Sequence, residues 1–168
     1  MHTQGWSALP RIVVGAGADT VVEKLRTASK RGRLAGFTAP SQGGALFSVA
    51  AHGRPFDGVL AGWLNDGRLE FRLNMHRRLP VIFAVVLLAT VWPGVYFMDE
   101  LIAVFLPSLW RPWVTYYWYL PLTVLPLPWV WVGLMRRSRA TIHASALEAI
   151  GKIAAETGGK VETQPMPR

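Results

Sequence analysis

Two stretches of the chain, 79–98 and 112–135, contain no Asp, Glu, Lys or Arg. They run for about 20 and about 24 residues, and at 1.5 Å per helical residue each covers a hydrocarbon core of roughly 30 Å. The pattern predicts a pair of transmembrane helices. Elsewhere the period differs. Over 68–75, Leu69, Phe71, Leu73 and Met75 alternate with Arg68, Glu70, Arg72 and Asn74, which predicts a strand with one buried and one solvated face. Asn65-Asp66-Gly67 is a hairpin signal that joins it to a strand over 56–64, with Val59, Ala61 and Trp63 on one face. A turn at His52-Gly53-Arg54-Pro55 leads back to a strand over 45–51, with Phe47 and Val49 on one face. The segment 35–39 is a candidate further strand.

Helical periods flank these elements. Thr20 to Glu23 forms a capping-box pattern opening a helix to about Lys30, with Val21, Val22 and Leu25 apolar and Gly32 as the stop. After the second apolar stretch, Leu147, Ile150, Ile153 and Ala154 form a stripe. Ser145 to Glu148 is a second capping box, although that helix can begin as early as Ser138, and Gly158-Gly159 ends it. A meander with one apolar face requires a cover, and the two amphipathic helices are available to supply it. The expected fold class is an α+β membrane protein. A two-helix transmembrane hairpin is inserted in a small cytoplasmic domain of three to four antiparallel strands covered by two amphipathic helices. The segments are an N-terminal extension (1–16), a cytoplasmic α+β part (17–78), transmembrane helix 1 (79–98), an external apolar connector (99–111), a proline-kinked transmembrane helix 2 (112–135), a cytoplasmic amphipathic helix (136–159) and a loose tail (160–168).

Charge sets the orientation. Arg77 and Arg78 precede the first stretch, and Arg136, Arg137 and Arg139 follow the second, whereas 99–111 holds Asp99, Glu100 and Arg111. Basic residues accumulate on the cytoplasmic side of short flanks, so both termini are expected to be cytoplasmic and the protein integral to the inner membrane. The net charge of +8 then points to anionic lipid headgroups as partners, contacted by those five arginines, rather than to nucleic acid. No basic segment followed by an apolar run opens the sequence, so no cleavable signal peptide is expected. Cysteine is absent, which excludes disulfides, thiolate metal sites and cysteine nucleophiles.

Aromatic residues crowd one end of the second stretch: Trp110, Trp113, Tyr116, Tyr117, Trp118 and Tyr119. Amphipathic rings of this kind anchor helices at the headgroup boundary, and the density also marks these six as a candidate partner surface. The connector is too apolar for a solvated loop. It reads as a short interfacial helix ended near Pro107, or as a segment packed on a neighbouring subunit. Pro93, Pro121, Pro126 and Pro128 predict kinks, with Thr115 and Thr123 as candidate donors to the freed carbonyls.

Chemical motifs are sparse. Arg11 to Gly17 has two glycines of a dinucleotide-binding turn, but Thr20 stands where the third glycine belongs and no parallel strand is predicted after it. His2, His52, His76 and His143 share no metal-ligand spacing, no histidine within the spans offers an axial ligand, and no serine-hydrolase elbow is present. No cofactor is expected. The reading that follows is a non-catalytic accessory, anchoring or assembly subunit of a larger membrane complex, with a membrane-protein partner or self-association. The alternative is a stand-alone membrane-tethered sensor binding a ligand or protein through its cytoplasmic domain. An enzyme or transporter of lipophilic substrates ranks third, because neither span contains an ionisable residue.

Overall fold

The computed structural model describes residues 9–41, 44–76, 78–108 and 113–162. In chain order they form β1 (Arg11–Val13), α1 (Ala18–Lys30), β2 (Phe47–Ala51), β3 (Gly58–Asn65), β4 (Arg68–Met75), α2 (Arg78–Phe105), α3 (Val114–Val124), α4 (Leu127–Thr157) and β5 (Lys160–Glu162). The described residues up to His76 and those from Arg137 onward make one compact unit, and the residues between make a second.

The first unit is α+β. Its sheet has the order β2-β3-β4-β1-β5 with every neighbouring pair antiparallel. Leu60 opposes Leu73 and Val49, Leu64 opposes Leu69, and Ile12 opposes both Leu69 and Val161, so one face of the sheet is continuously apolar. Val21, Leu25 and Ala28 of α1 and Ile142, Ala146, Ile150 and Ile153 of α4 close over it in a single core. Each large side chain buried there contributes about 1.5–3 kcal/mol. Both amphipathic helices thus cover the sheet. The predicted β3–β4 hairpin forms, with Asp66 and Gly67 both at positive φ (47° and 73°), as a tight type I′ turn requires.

Several sequence expectations are corrected. The sheet has five strands, not three to four: β1 lies in the segment read as an N-terminal extension, and β5 lies in the segment read as a loose tail. Strands of three residues carry no readable period; pairing defines them. The segment 35–39 contributes only an isolated bridge, Thr38 to Ser48. Val59, Ala61 and Trp63 share a face as expected, but it is the one opposite the core: Trp63 stacks under the Arg72 guanidinium, 5.3 Å from its ring centroid. Neither capping box caps. The N-cap of α1 is Gly17, without a side-chain hydrogen bond, and Ser145 and Glu148 fall inside α4. Gly32 does end α1, and Gly158, at φ 72°, ends α4. The Gly159 N–H then bonds Ala154 O at 3.1 Å, the six-residue closure of a Schellman motif. A side chain at Gly159 would meet Val13 O and Val14, so the α4–β5 corner admits little else.

In the second unit α2 continues past Met98. Residues 99–105, read as connector, extend the helix, because no breaker intervenes before Pro107. The second apolar stretch is divided at Leu125-Pro126. Pro126 and Pro128 remove two donors within one turn, while Leu125 keeps helical angles and its N–H bonds Pro121 O at 3.0 Å. α4 is one helix from Leu127 to Thr157, and it runs unbroken through 136/137, where the second unit gives way to the first. Two helical stretches, Leu79–Phe105 and Thr115–Thr157 with α3 and α4 taken together, are long enough and contain an 18-residue window apolar enough (mean hydropathy 2.2 and 1.3) to cross a membrane.

Because α4 supplies part of the core, Ile150→Ala should cost about 2–5 kcal/mol. Hydrogen exchange of the full chain should then rise across β3 and β4 as well as α4. A rise confined to α4 would contradict a shared core.

Candidate functional site

The densest polar arrangement in the first unit lies where the chain leaves the sheet and where it returns. β4 ends at Met75, opposite Gly58 at the start of β3. The next N–H, of His76, bonds Asp57 O at 3.1 Å. On the return, Ser138 of α4 is fully buried and donates to Phe56 O at 2.8 Å, with Met75 Sδ 4.0 Å away. Two further α4 hydroxyls accept from the same β2–β3 turn: Arg54 N–H reaches Thr141 Oγ1 at 3.0 Å, and His52 N–H reaches Ser145 Oγ at 3.1 Å. The spacing 138, 141, 145 is one helical stripe. Ile142 lies inside it, so close to Gly58 that a Cβ there would stand 3.0 Å from its methyl. The turn's polar backbone is therefore fastened to one face of α4, and both chain exits meet at a single corner.

The second unit holds a different cluster. Thr115 of α3 is buried, and its hydroxyl donates to Asp99 Oδ1 of α2 at 2.6 Å. Val95, one helical turn before Asp99 on α2, is also buried, and Gly94 leaves room for the Tyr119 hydroxyl. Asp99, placed from the sequence in the connector, is thus a residue of α2 bolting it to α3. Thr115 does not serve a proline-freed carbonyl. Thr123 bonds Tyr119 O at 2.8 Å and Leu120 O at 3.3 Å, and neither is the carbonyl that Pro121, Pro126 or Pro128 leaves without its helical donor.

The aromatic candidates divide by helical period. Tyr116 lies 6.4 Å from Trp92 of α2 and 5.5 Å from Trp113. Tyr119 faces Gly94 and meets the edge of Trp118 at 5.8 Å. Tyr117 is 81% exposed and Trp113 68%, so these point away from the helix pair. Trp110 and Arg77 lie outside the described residues. Arg78 opens α2, and Arg136, Arg137 and Arg139 are exposed on α4.

The remaining chemistry is modest. An open depression of about 320 Å³ is lined by Thr20, Glu23, Lys24, Thr27, Arg31 and Glu156. Its edges carry ion pairs, Arg33 with Glu156 and Arg26 with Glu23. Lys152 hydrogen-bonds Glu148 at 2.7 Å and holds its carboxyl below the usual range. The stabilisation from this exposed pair is present above the ordinary carboxylate pKa and is lost as pH falls through the lowered value. β1, the strand before the glycine turn, is antiparallel to both neighbours, which removes the parallel unit a dinucleotide site requires. Among the described residues no three His, Cys, Asp or Glu side chains converge as metal ligands. Sequence reasoning missed the Ser138-Thr141-Ser145 stripe and the Asp99–Thr115 bond. The first had a signal, hydroxyls at helical spacing beside Ile142; the second depends on how two helices pair. No family model matches this chain, and no curated protein or solved structure is significantly similar to it.

Thr115→Val removes the donor to Asp99 and should cost about 1–3 kcal/mol of hairpin stability, while Thr115→Ser should restore most of it. Thermal unfolding of the detergent-solubilised chain measures both. Equal melting of all three proteins would contradict the bolt.

Proposed function

We propose that this chain is a multi-pass inner-membrane protein whose apolar helices form a transmembrane hairpin, with the α+β unit on the cytoplasmic side. It acts without catalysis, as an accessory, anchoring or assembly subunit of a larger membrane complex. The observation that carries this reading is the discontinuity of the α+β unit. Its core takes α1 and β1–β4 from before the apolar insertion and α4 from after it, and β5 completes the sheet. Both flanks of the insertion therefore occupy one compartment, and an insertion with two spanning helices must go out and return.

The flanking arginines favour the cytoplasm for that compartment. The partner role draws on the outward side chains of the helix pair. Trp92, Tyr96 and Phe97 of α2 and Tyr117 and Trp129 of α3 and α4 are each more than three-fifths exposed. Rings of this size supply the anchors of protein interfaces as well as of lipid boundaries. The stable subunit partner is a membrane protein or a second copy of this chain.

The test is the mass and composition of the particle extracted from its native membrane in mild detergent. A particle of defined composition, larger than this chain with its detergent belt, is expected. A particle holding a single copy of this chain would contradict the subunit role.

A further inference from the structure

The corner where the chain leaves and re-enters the α+β unit carries a charged surface with no assigned use. Arg54 sits at the tip of the β2–β3 turn, with its backbone N–H held by Thr141 and its side chain exposed. Exposed around the same corner are His52, His76, Arg137 and Arg139, with Asp57 as the acid. That carboxylate accepts the Gly53 N–H at 2.9 Å, and its own carbonyl takes the His76 N–H. The segments at this corner thus carry three exposed guanidiniums and one partly engaged carboxylate. Among the described residues no ion pair joins any of the three to an acid.

We propose that the β2–β3 turn is a membrane-docking loop: Arg54, with His52 beside it, binds the headgroups of anionic phospholipids and extends the basic collar of Arg137 and Arg139. This rests on the hairpin reading above. The argument is one of reach. Thr141, which holds Arg54, is four residues beyond Arg137 on α4, or about 6 Å along the helix. The headgroup layer on each side of a bilayer is about 5–8 Å deep. With Arg137 at the hydrocarbon boundary and the start of α4 in the α+β unit running along the membrane normal, as the proposal has it, the Arg54 backbone lies at headgroup depth. The opposite end of the unit is far away. Lys24 Nζ bonds Thr157 O at 3.5 Å, twenty residues past Arg137 and about 30 Å along the same helix. A flexible loop would lose much of its binding free energy to ordering. This one is already fixed to α4 by Ser138, Thr141 and Ser145, so its cation is presented without that cost.

The test uses the full chain in lipid nanodiscs. Its lack of cysteine makes every introduced thiol unique. Fluorophores are placed at His52→Cys, at Lys24→Cys and, on the apolar face of α2, at Leu88→Cys. Quenching is read from nitroxides on headgroups or on acyl chains, with and without anionic phosphatidylglycerol. The expected result is headgroup quenching at position 52 but not at 24. Anionic lipid should strengthen it, and Arg54→Glu, a change of two charge units, should weaken that response at least about fivefold, the factor that one basic residue alone supplies near an anionic surface. Equal quenching at 52 and 24, or no response at 52 to anionic lipid or to Arg54→Glu, would overturn the docking loop. Acyl-chain quenching at 88 would still uphold the inserted helix. Absence of acyl-chain quenching at 88 would overturn the hairpin reading and the docking loop with it.

Discussion

The structure depends on one closure. β1 pairs on one side with β4, the last strand before the apolar insertion, and on the other with β5, the first element after α4. Ile12, between Leu69 and Val161, is fully buried, and the corner at Gly159 fits against Val13 and Val14. The inner face of the sheet is sealed only when α4 lies on it, because Ile142, Ala146, Ile150 and Ile153 complete the core begun by α1. Sequence-distant segments must meet before any of this burial is gained, so the closure entropy of the whole insertion opposes it. Docking the helices of the insertion together, through Asp99 and Thr115, restrains that loop and lowers the opposition.

One helix, α4, belongs to both units. α4 is continuous from Leu127, within the apolar stretch, to Thr157, at the far end of the sheet. Where it enters the α+β unit, three hydroxyls and the Ile142 side chain grip the β2–β3 turn. The hydrogen bonds contribute about 0.5–1.5 kcal/mol each, less than the buried aliphatic side chains beside them, but they fix direction. A displacement of α4 along its axis would strain all three at once. The same grip presents Arg54 rigidly.

What the sequence disclosed follows the range of the interactions. The β3–β4 hairpin was legible because Asn65-Asp66-Gly67 and the alternation over 68–75 are local signals. The apolar helices were legible from length alone, and the need for α4 as a cover followed from the one-sided meander. β1 and β5 were not legible: three residues show no period, and what makes them strands is each other and Leu69. The capping boxes misled because Thr20 and Ser145 carry the right spacing in the wrong context. Ser145 spends its oxygen on the His52 N–H, a partner ninety-three residues away. The six aromatics were read as one surface, yet Tyr116 and Tyr119 turn toward α2 while Tyr117 turns away, a division set by helical period once α3 begins at Val114. The connector was expected to be a separate interfacial helix ended near Pro107; it is helical to Phe105, but continuous with the first span, because nothing before Pro107 stops α2.

The claim on which the rest stands is that the flanks of the insertion share one compartment while the residues beyond α2 lie across the membrane from them. Single cysteines at Lys24, Lys152 and Ser108, probed with a membrane-impermeant maleimide in intact and in permeabilised cells, test it directly. The account predicts that Ser108→Cys reacts in intact cells, and that Lys24→Cys and Lys152→Cys both react only after permeabilisation. Positions 24 and 152 reacting from opposite sides would contradict the discontinuous α+β unit, and position 108 behaving as they do would contradict the hairpin.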